Sequence, residues 1–323
     1  MRVLIVLVNY RTPGLTIDCL RSLQPQVQAV GDAQVVVVDN ASGDGSADQI
    51  QQTIDQQQWS LWAGLIRSQV NGGFSAGNNI GIQSAKADAY LLLNTDTLVE
   101  PGAIAAMLDA LDRHPKAGIV GPRLQWPDGQ PQISCFNDPS PISELLVAAG
   151  TGVLDELLSR FCVPTAVSDQ PTHAQWLSFA AVIVRRQVIE LVGPMDDGYF
   201  MYFEDIDYCR RARKAGWDVL YWPDARVVHL RGGTSPVKML AAQRKRHPRY
   251  YYAARARYFA KFYTRFGLWS ANALWMLGRV ISWLRELLRH KQPHTWQRQG
   301  RDNWTNAWSP LRTDSHSKSS SLG

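Results

Sequence analysis

Three carboxylates, Glu204, Asp205 and Asp207, fall within four residues of the stretch FMYFEDIDYCRRARKAGW, with aromatic residues before them and four cations after. Burial disfavours a charged carboxylate, so acids in apolar surroundings are paired, hydrogen-bonded or put to chemical use. A carboxylate in a partly apolar cleft is a candidate general base. Structural roles account for part of the trio. Asp207 stands three and four residues before Arg210 and Arg211, the spacing of an ion pair on a helix. A helix start favours anions, and one cap uses one acid. Two adjacent acids behind YFMYF exceed that need, which leaves Glu204 and Asp205 as candidates for proton chemistry.

A further acid ends an apolar run. In LLLNTDTL the leucines deliver Asp96 to the edge of an expected strand. A hard cation such as Mg²⁺ or Mn²⁺ takes oxygen ligands and commonly uses one or two carboxylates plus substrate phosphates. The plain alternative is a turn aspartate; Asp-x-Asp pairs arise by chance, and Asp205-Ile206-Asp207 is itself one. His229 ends ARVVHL, either as a histidine satisfied in a loop or as a second protein ligand to that ion. NGGFSAGNN places glycines where backbone must approach something closely, but has neither the P-loop pattern nor the GxGxxG spacing.

The elements that must position these residues alternate. RVLIVLV, QVVVVDN, LWAGLIRS, AYLLLNTDTLV and AGIVGPRL read as strands, and helical patterns separate them, the first with Thr12 and Pro13 at its start. This rhythm implies an α/β fold, a mainly parallel central sheet with helices on both faces. Ligands bind such sheets at the carboxyl ends of the strands. Here those ends carry Asn9-Tyr10, Asp39-Asn40, the loop from Asn71 to Asn79, and Asn94-Thr95-Asp96, which are expected to converge on one nucleotide site. Residues 122–175 read as loops with one helix around ISELLVAAG. QWLSFAAVIVRR and IDYCRRARKAG restore regular structure, WDVLYW and ARVVHL read as two strands, and helical patterns cover roughly 239–266 and 268–290. We expect a catalytic domain over 1–235, a helical C-terminal segment over 236–300 and a disordered Ser-rich tail over 301–323.

Charge is distributed unevenly. Residues 238–301 hold fifteen Lys/Arg against one acid, Glu286, a net +14, while the rest of the chain nets −8. Tryptophans 269, 275, 283 and 296 are interleaved with those cations, a composition that suits an anionic membrane surface. Nucleic acid is the competing partner for a basic segment, but no nucleic-acid motif is present, and two helices packed on the catalytic domain are the plain alternative. The four cysteines are scattered, which fits a reducing compartment. MRVLIVLVNYRT holds only a six-residue apolar run, expected to be a strand rather than a leader, and no run is long enough to span a bilayer.

VLIVLVNYRTPGLTIDCLRSL, VVVVDNASGDGS, NGGFSAGNNIGI, LLLNTDTLV, GPMDDGYFMYFEDIDYCRRARKAGW and VVHLRGGTS, in this order, resemble the family 2 glycosyltransferases of the GT-A fold, most of all their bacterial rhamnosyltransferase-like branch. The resemblance implies the GT-A nucleotide-diphospho-sugar transferase fold with a C-terminal helical extension. It also implies an inverting transferase using a nucleoside-diphosphate sugar donor and a divalent cation, Mg²⁺ or Mn²⁺. Asn9, Tyr10 and Asp39 then align with nucleotide-base and ribose contacts, and Asn78 and Asn79 with the sugar-nucleotide loop. Asp96 matches the last acid of the metal motif, with Asn94 in place of its first. Asp205 matches the catalytic base, with Glu204 beside it, and His229 a histidine near metal and diphosphate. Phe179 departs from the family, where a small residue is expected, and would narrow the sugar or acceptor pocket. The activity implied is transfer of a sugar, rhamnose or a related hexose, to a cell-surface polysaccharide or lipid-linked acceptor. It would take place in the cytoplasm, peripherally on the inner face of the cell membrane. A UDP-hexose or N-acetylhexosamine transferase, a catalytically silent docking module and a nucleotidyltransferase are the rivals.

Overall fold

Near-continuous valine and leucine runs are what a strand buried on both faces requires. In the computed structural model, which describes residues 1–230, 237–289 and 293–312, three such runs and the partly exposed edge strand AGLIR lie parallel. They are β1 (Val3–Asn9), β2 (Ala33–Asp39), β3 (Ala63–Arg67) and β4 (Ala89–Leu93), in the order β3-β2-β1-β4. Helices α1 (Pro13–Val30), α2 (Ser46–Gln56) and α3 (Gly73–Ser84) connect them. Successive strand residues face opposite layers. Ile5, Leu7, Val35 and Val37 enter one core, and Leu4, Val6, Val36 and Val38 the other. Helix α3 lies close against β1: a Cβ on Gly77 or Gly81 would collide with the side chain of Val8 or Val6.

The other half of the sheet departs from the parallel expectation. AYLLLNTDTLV is two strands rather than one. β4 stops at Leu93, the Thr97 hydroxyl closes the turn onto the Asn94 carbonyl at 2.6 Å, and β5 (Thr97–Val99) pairs at the far edge of the sheet. Between β4 and β6 (Ala117–Gln125) runs β10 (Ala181–Arg185), antiparallel to both. β10 arrives from a long irregular stretch instead of a crossover helix, so nothing compels it to run parallel. WDVLYW and ARVVHL, expected as two strands, form the single β11 (Asp218–His229), parallel to β6 and irregular between Trp222 and Arg226. The sheet is therefore mixed, ordered β3-β2-β1-β4-β10-β6-β11-β5, with β8 (Thr172–His173) on β11. β7 (Cys135–Phe136) and β9 (Trp176–Leu177) form a separate ribbon, and α4 (Ala103–Arg113), α7 (Arg186–Val192) and α8 (Glu204–Lys214) complete the helices around the sheet. The described cysteines are all free.

The chain forms two compact units. The first comprises Met1–Phe136, Ala166–Asp197 and Asp205–Thr234; the second comprises Asn137–Thr165, Gly198–Glu204 and Ser235–Gly323. The second unit contains α5 (Pro141–Ala149), α6 (Gly152–Leu157), α9 (Val237–Ala242), α10 (Arg249–Arg289) and α11 (Gln299–Asp302). The helical pattern expected from 239 is interrupted: α9 ends before a polar stretch that closes with Pro248, and α10 restarts at Arg249. Inside α10 the backbone kinks at Thr264, which has φ 64 and ψ 179. Of the expected tail, residues 301–312 carry helical and turn structure with Asp302, Asn303 and Ala307 buried, and 313–323 lie outside the described residues. Among the described residues no helix is long and apolar enough to cross a membrane.

Candidate active site

At the ends of β1 and β2 the polar residues hold one another. The Asn9 amide donates to Asp39 at 2.7 Å and to the Ser42 hydroxyl at 3.2 Å. Its carbonyl oxygen accepts from the Thr16 hydroxyl at 2.9 Å and from Thr12 at 3.3 Å. The Asn9 side chain is thus fully engaged by the protein and fixes Asp39 in place. Ser42 completes the clamp, donating its hydroxyl to Asp39 at 2.6 Å and its backbone N–H at 3.1 Å. Arg11 sits in the left-handed region at φ 57, donates to Ser42 and lays its guanidinium 5.1 Å over the half-buried Tyr10 ring. Ser42 and Arg11 were not singled out from sequence; both lie within the motifs quoted above, and only the fold shows that they meet.

The glycine-rich loop is tied down by Asn40, whose amide donates to Asn71 and to the Gly73 carbonyl, each at 3.0 Å. Asn78 is buried and bonds back to the Phe74 carbonyl of its own helix at 2.9 Å. Asn79 pairs with the Met195 backbone on both sides, donating to its carbonyl at 2.8 Å and accepting from its N–H at 3.0 Å. Asn79→Ala would strip both partners from Met195, and we expect it to cost about 2 kcal/mol of stability, measured by urea denaturation.

Asp96 is 1% exposed, and among the described residues neither carboxylate oxygen has a hydrogen-bond partner. The register that sets His229 opposite Thr97 brings His229 Nε2 to 3.5 Å from Asp96 Oδ1. His229 Nδ1 and Asn94 Oδ1 are also buried and have no hydrogen-bond partner among the described residues. Leaving a buried carboxylate with no donor costs several kcal/mol unless a cation neutralises it. Carboxylate, imidazole and amide oxygen are a fitting donor set for a divalent cation. No group of three His, Cys, Asp or Glu is gathered for a metal among the described residues, so Asp96 and His229 would leave coordination positions for substrate oxygens.

Asp205 lies in the first turn of α8. Its carboxylate accepts from the Ile206 N–H at 2.9 Å and from the backbone N–H of Phe179. The residue keeps part of its surface accessible, yet burial around the carboxyl pushes it up to about 7 against the opposing pull of these N–H donors. Phe179 and Ala180 lead into β10, and the Ala180 carbonyl accepts the N–H of Asn94 at 2.9 Å. One short backbone path thus runs from Asp205 through Phe179-Ala180 to the turn that carries Asn94 and Asp96. The Phe179 side chain does not narrow a pocket, as sequence led us to expect. It is 3% exposed, lies in the core and meets Tyr208 edge to face at 6.2 Å. What it offers the site is its backbone N–H.

The other carboxylates of the opening trio divide as follows. Asp207 is buried and pairs with Arg211 at 2.7 Å; Arg211 in turn holds the carbonyls of Val192 and Pro194. Glu204 is buried at the start of α8. Before it, Tyr202 and Phe203 take left-handed conformations at φ 73 and 67, which are unfavourable for bulky residues. Ring contacts of Tyr202 with Tyr250 and of Phe203 with Tyr251 and Tyr258 hold this turn within the second unit. That is the work of the aromatic crowd that precedes the acids.

The profile of the family described as "Glycosyltransferase like family 2" matches residues 2–253. The N-acetylglucosaminyl-diphospho-decaprenol L-rhamnosyltransferase of Mycobacterium tuberculosis is 37% identical over 169 residues, 49% of this chain and 53% of that protein. A low-salt glycan biosynthesis hexosyltransferase of Haloferax volcanii is 26% identical over 216 residues, 65% of this chain and 61% of its own. The match thus spans about half the length of the mycobacterial relative. Among solved structures, the mannosyltransferase of Pyrobaculum calidifontis in complex with GDP-Man and Mn²⁺ superposes with TM-score 0.54 at 16% identity, over 96% of this chain and 84% of that one. TarS of S. aureus, residues 1–349, does so with TM-score 0.54 at 16% identity, over 96% and 80%. These likenesses show the fold.

Proposed function

We propose that this chain, which belongs to the glycosyltransferase-like family 2, is an inverting, divalent-cation-dependent transferase that moves rhamnose or a related hexose from a nucleoside-diphosphate sugar to a lipid-linked saccharide. The observation that carries this reading is the pair of unlike acids joined through one strand end. Asp205 has a carboxyl raised to about 7, and Asp96 is buried beside His229 with no hydrogen-bond partner among the described residues. The name of the mycobacterial relative supports rhamnose as the sugar and an N-acetylglucosaminyl-diphospho-polyprenol as the acceptor class. An acceptor of that kind supports a reaction at a membrane surface, which we assign to the inner face of the cell membrane, with the basic 239–301 segment as the membrane contact.

In this mechanism Asp39, fixed by Asn9 and Ser42, meets the base or ribose of the donor, with Tyr10 beside it. Asp96 and His229 would hold the cation, which supplies neutralisation of the negative charge on the departing diphosphate. Asp205 takes the proton of the acceptor hydroxyl as that oxygen attacks the sugar carbon. A single displacement needs one base and no protein nucleophile, and it inverts the anomeric centre. Because the base must be ionised, the rate should climb about tenfold per pH unit up to about 7 and level off above it. A profile flat from pH 5 to pH 8 would remove Asp205 from the role.

The decisive experiment incubates the chain with dTDP-rhamnose, a synthetic N-acetylglucosaminyl-diphospho-polyprenol and Mn²⁺ or Mg²⁺, and reads the product anomer by NMR. Transfer with inversion is expected. Transfer only from UDP-hexoses would reassign the donor, and no transfer from any nucleotide sugar would sink the proposal.

A further inference from the structure

The second half of α10 exposes an apolar stripe while burying several polar side chains alongside Leu268, Ala271 and Trp275. The residues it turns inward within the second unit include Asn272, Ser282 and Glu286, all buried, and Arg279. Most of their polar atoms meet one another or neighbours, while the Asn272 amide nitrogen is buried without a partner among the described residues. Arg279 pairs with Glu286 at 2.8 Å and donates to Ser282 at 2.7 Å; Glu286 also meets His294 at 3.2 Å; Asn272 accepts from the buried Arg255 at 2.8 Å. The residues it turns outward are Leu277, Val280, Trp283, Leu284, Leu287 and Leu288, with Trp283 52% and Leu288 81% exposed. Their spacing of three and four residues makes one continuous stripe. On an ordinary surface helix such a stripe faces the core.

The cations of this segment tell a second part of the story. Arg246 pairs with Asp302, Arg255 with Glu144 and Arg279 with Glu286, while Arg285 reaches the Gly150 carbonyl. Three of the fifteen cations are thus ion-paired within the unit and a fourth is hydrogen-bonded there, while the stripe that the helix exposes is apolar.

We propose that the 277–288 face of α10 inserts into one leaflet of a lipid bilayer, the helix lying in the membrane plane, and that apolar burial rather than charge supplies most of the affinity. This deepens, and rests on, the membrane placement proposed above. Charge chooses the bilayer over a second copy of the chain. Residues 238–301 hold fifteen Lys/Arg, and with Glu286 and the partner acids Asp302 and Glu144 all counted the net is still fifteen minus three, +12, so two copies face to face would repel. Anionic headgroups meet the same shoulders favourably. A tryptophan within the stripe suits the interfacial depth, and no helix among the described residues is apolar enough to cross.

The test floats the full chain with phosphatidylcholine–phosphatidylglycerol vesicles at 0.1 M and 0.5 M NaCl. Binding should fall no more than about twofold at the higher salt, and the Trp283→Glu, Leu287→Glu double variant should lose at least about tenfold at either. Loss of flotation in salt with the double variant unaffected would mean the cations do the binding and would overturn the inference. So would a wild-type dimer in sedimentation that the double variant turns monomeric. Should the variant fold poorly, quenching of wild-type tryptophan by acyl-brominated lipid, reduced in Trp283→Phe, decides instead. Transfer to a short-chain, detergent-soluble acceptor should be unchanged in the double variant. Its loss from wild type as well would count against the transferase reading, not against the lipid face.

Discussion

Asp205→Asn should slow sugar transfer by roughly 10²–10⁴-fold while leaving donor binding nearly intact. The amide retains an oxygen able to accept from the N–H groups of Ile206 and Phe179, so the local backbone is kept. What disappears is the group proposed to take the acceptor proton. A control comes from linkage. The folded carboxyl is raised to about 7 from an ordinary value of 3.8, so ionisation costs folding stability as pH rises through that interval, and the cost persists above it. An asparagine carries no such cost. The variant should therefore melt no lower than wild type at pH 8, and higher if burial dominates. Slow transfer with undiminished stability marks the loss as chemical. Transfer at the wild-type rate would take Asp205 out of the mechanism altogether.

Asp96→Ala should abolish cation-dependent donor binding. In the wild type, a nucleotide sugar at 100 times its dissociation constant stabilises the folded state by about 2.7 kcal/mol, and with Mn²⁺ present this appears as a rise in melting temperature. The alanine variant should show no difference between donor with Mn²⁺ and donor with chelator. Mn²⁺ binding by electron paramagnetic resonance offers a readout independent of turnover, and the bound signal should vanish. Because Asp96 is buried with neither oxygen hydrogen-bonded among the described residues, its removal strands no donor, and the variant should be no less stable without metal. A variant that still binds Mn²⁺ and donor together would move the cation elsewhere.

Much of the first unit is legible in the residues because local chemistry and fold agree there. VLIVLVN and VVVVD can only be buried strands, and their polar ends mark the sheet edge. Asp207 with Arg211 follows from helix spacing alone. The antiparallel β10 was not legible, since strand direction is set by how the chain returns to the sheet rather than by composition. Nor was the division of AYLLLNTDTLV, where a three-residue turn sends β5 to the opposite edge. The roles of Asn9 and Asn79 escaped for a similar reason. An asparagine reads the same whether its amide meets a ligand, Asp39 or the Met195 backbone.

Residue types and their order were enough to mark the candidates for chemistry: an acid after an apolar strand, paired acids at a helix start, a histidine closing a strand, all within a βα alternation. These are local properties, fixed by what each side chain can ionise, ligate or bury. Only the folded chain decided that Phe179 turns its ring into the core and its N–H toward Asp205, that His229 lies beside Asp96, and that α10 hides several polar side chains and shows its leucines. Those facts depend on which surfaces meet after the chain returns from afar, and spacing along the backbone carries no record of that.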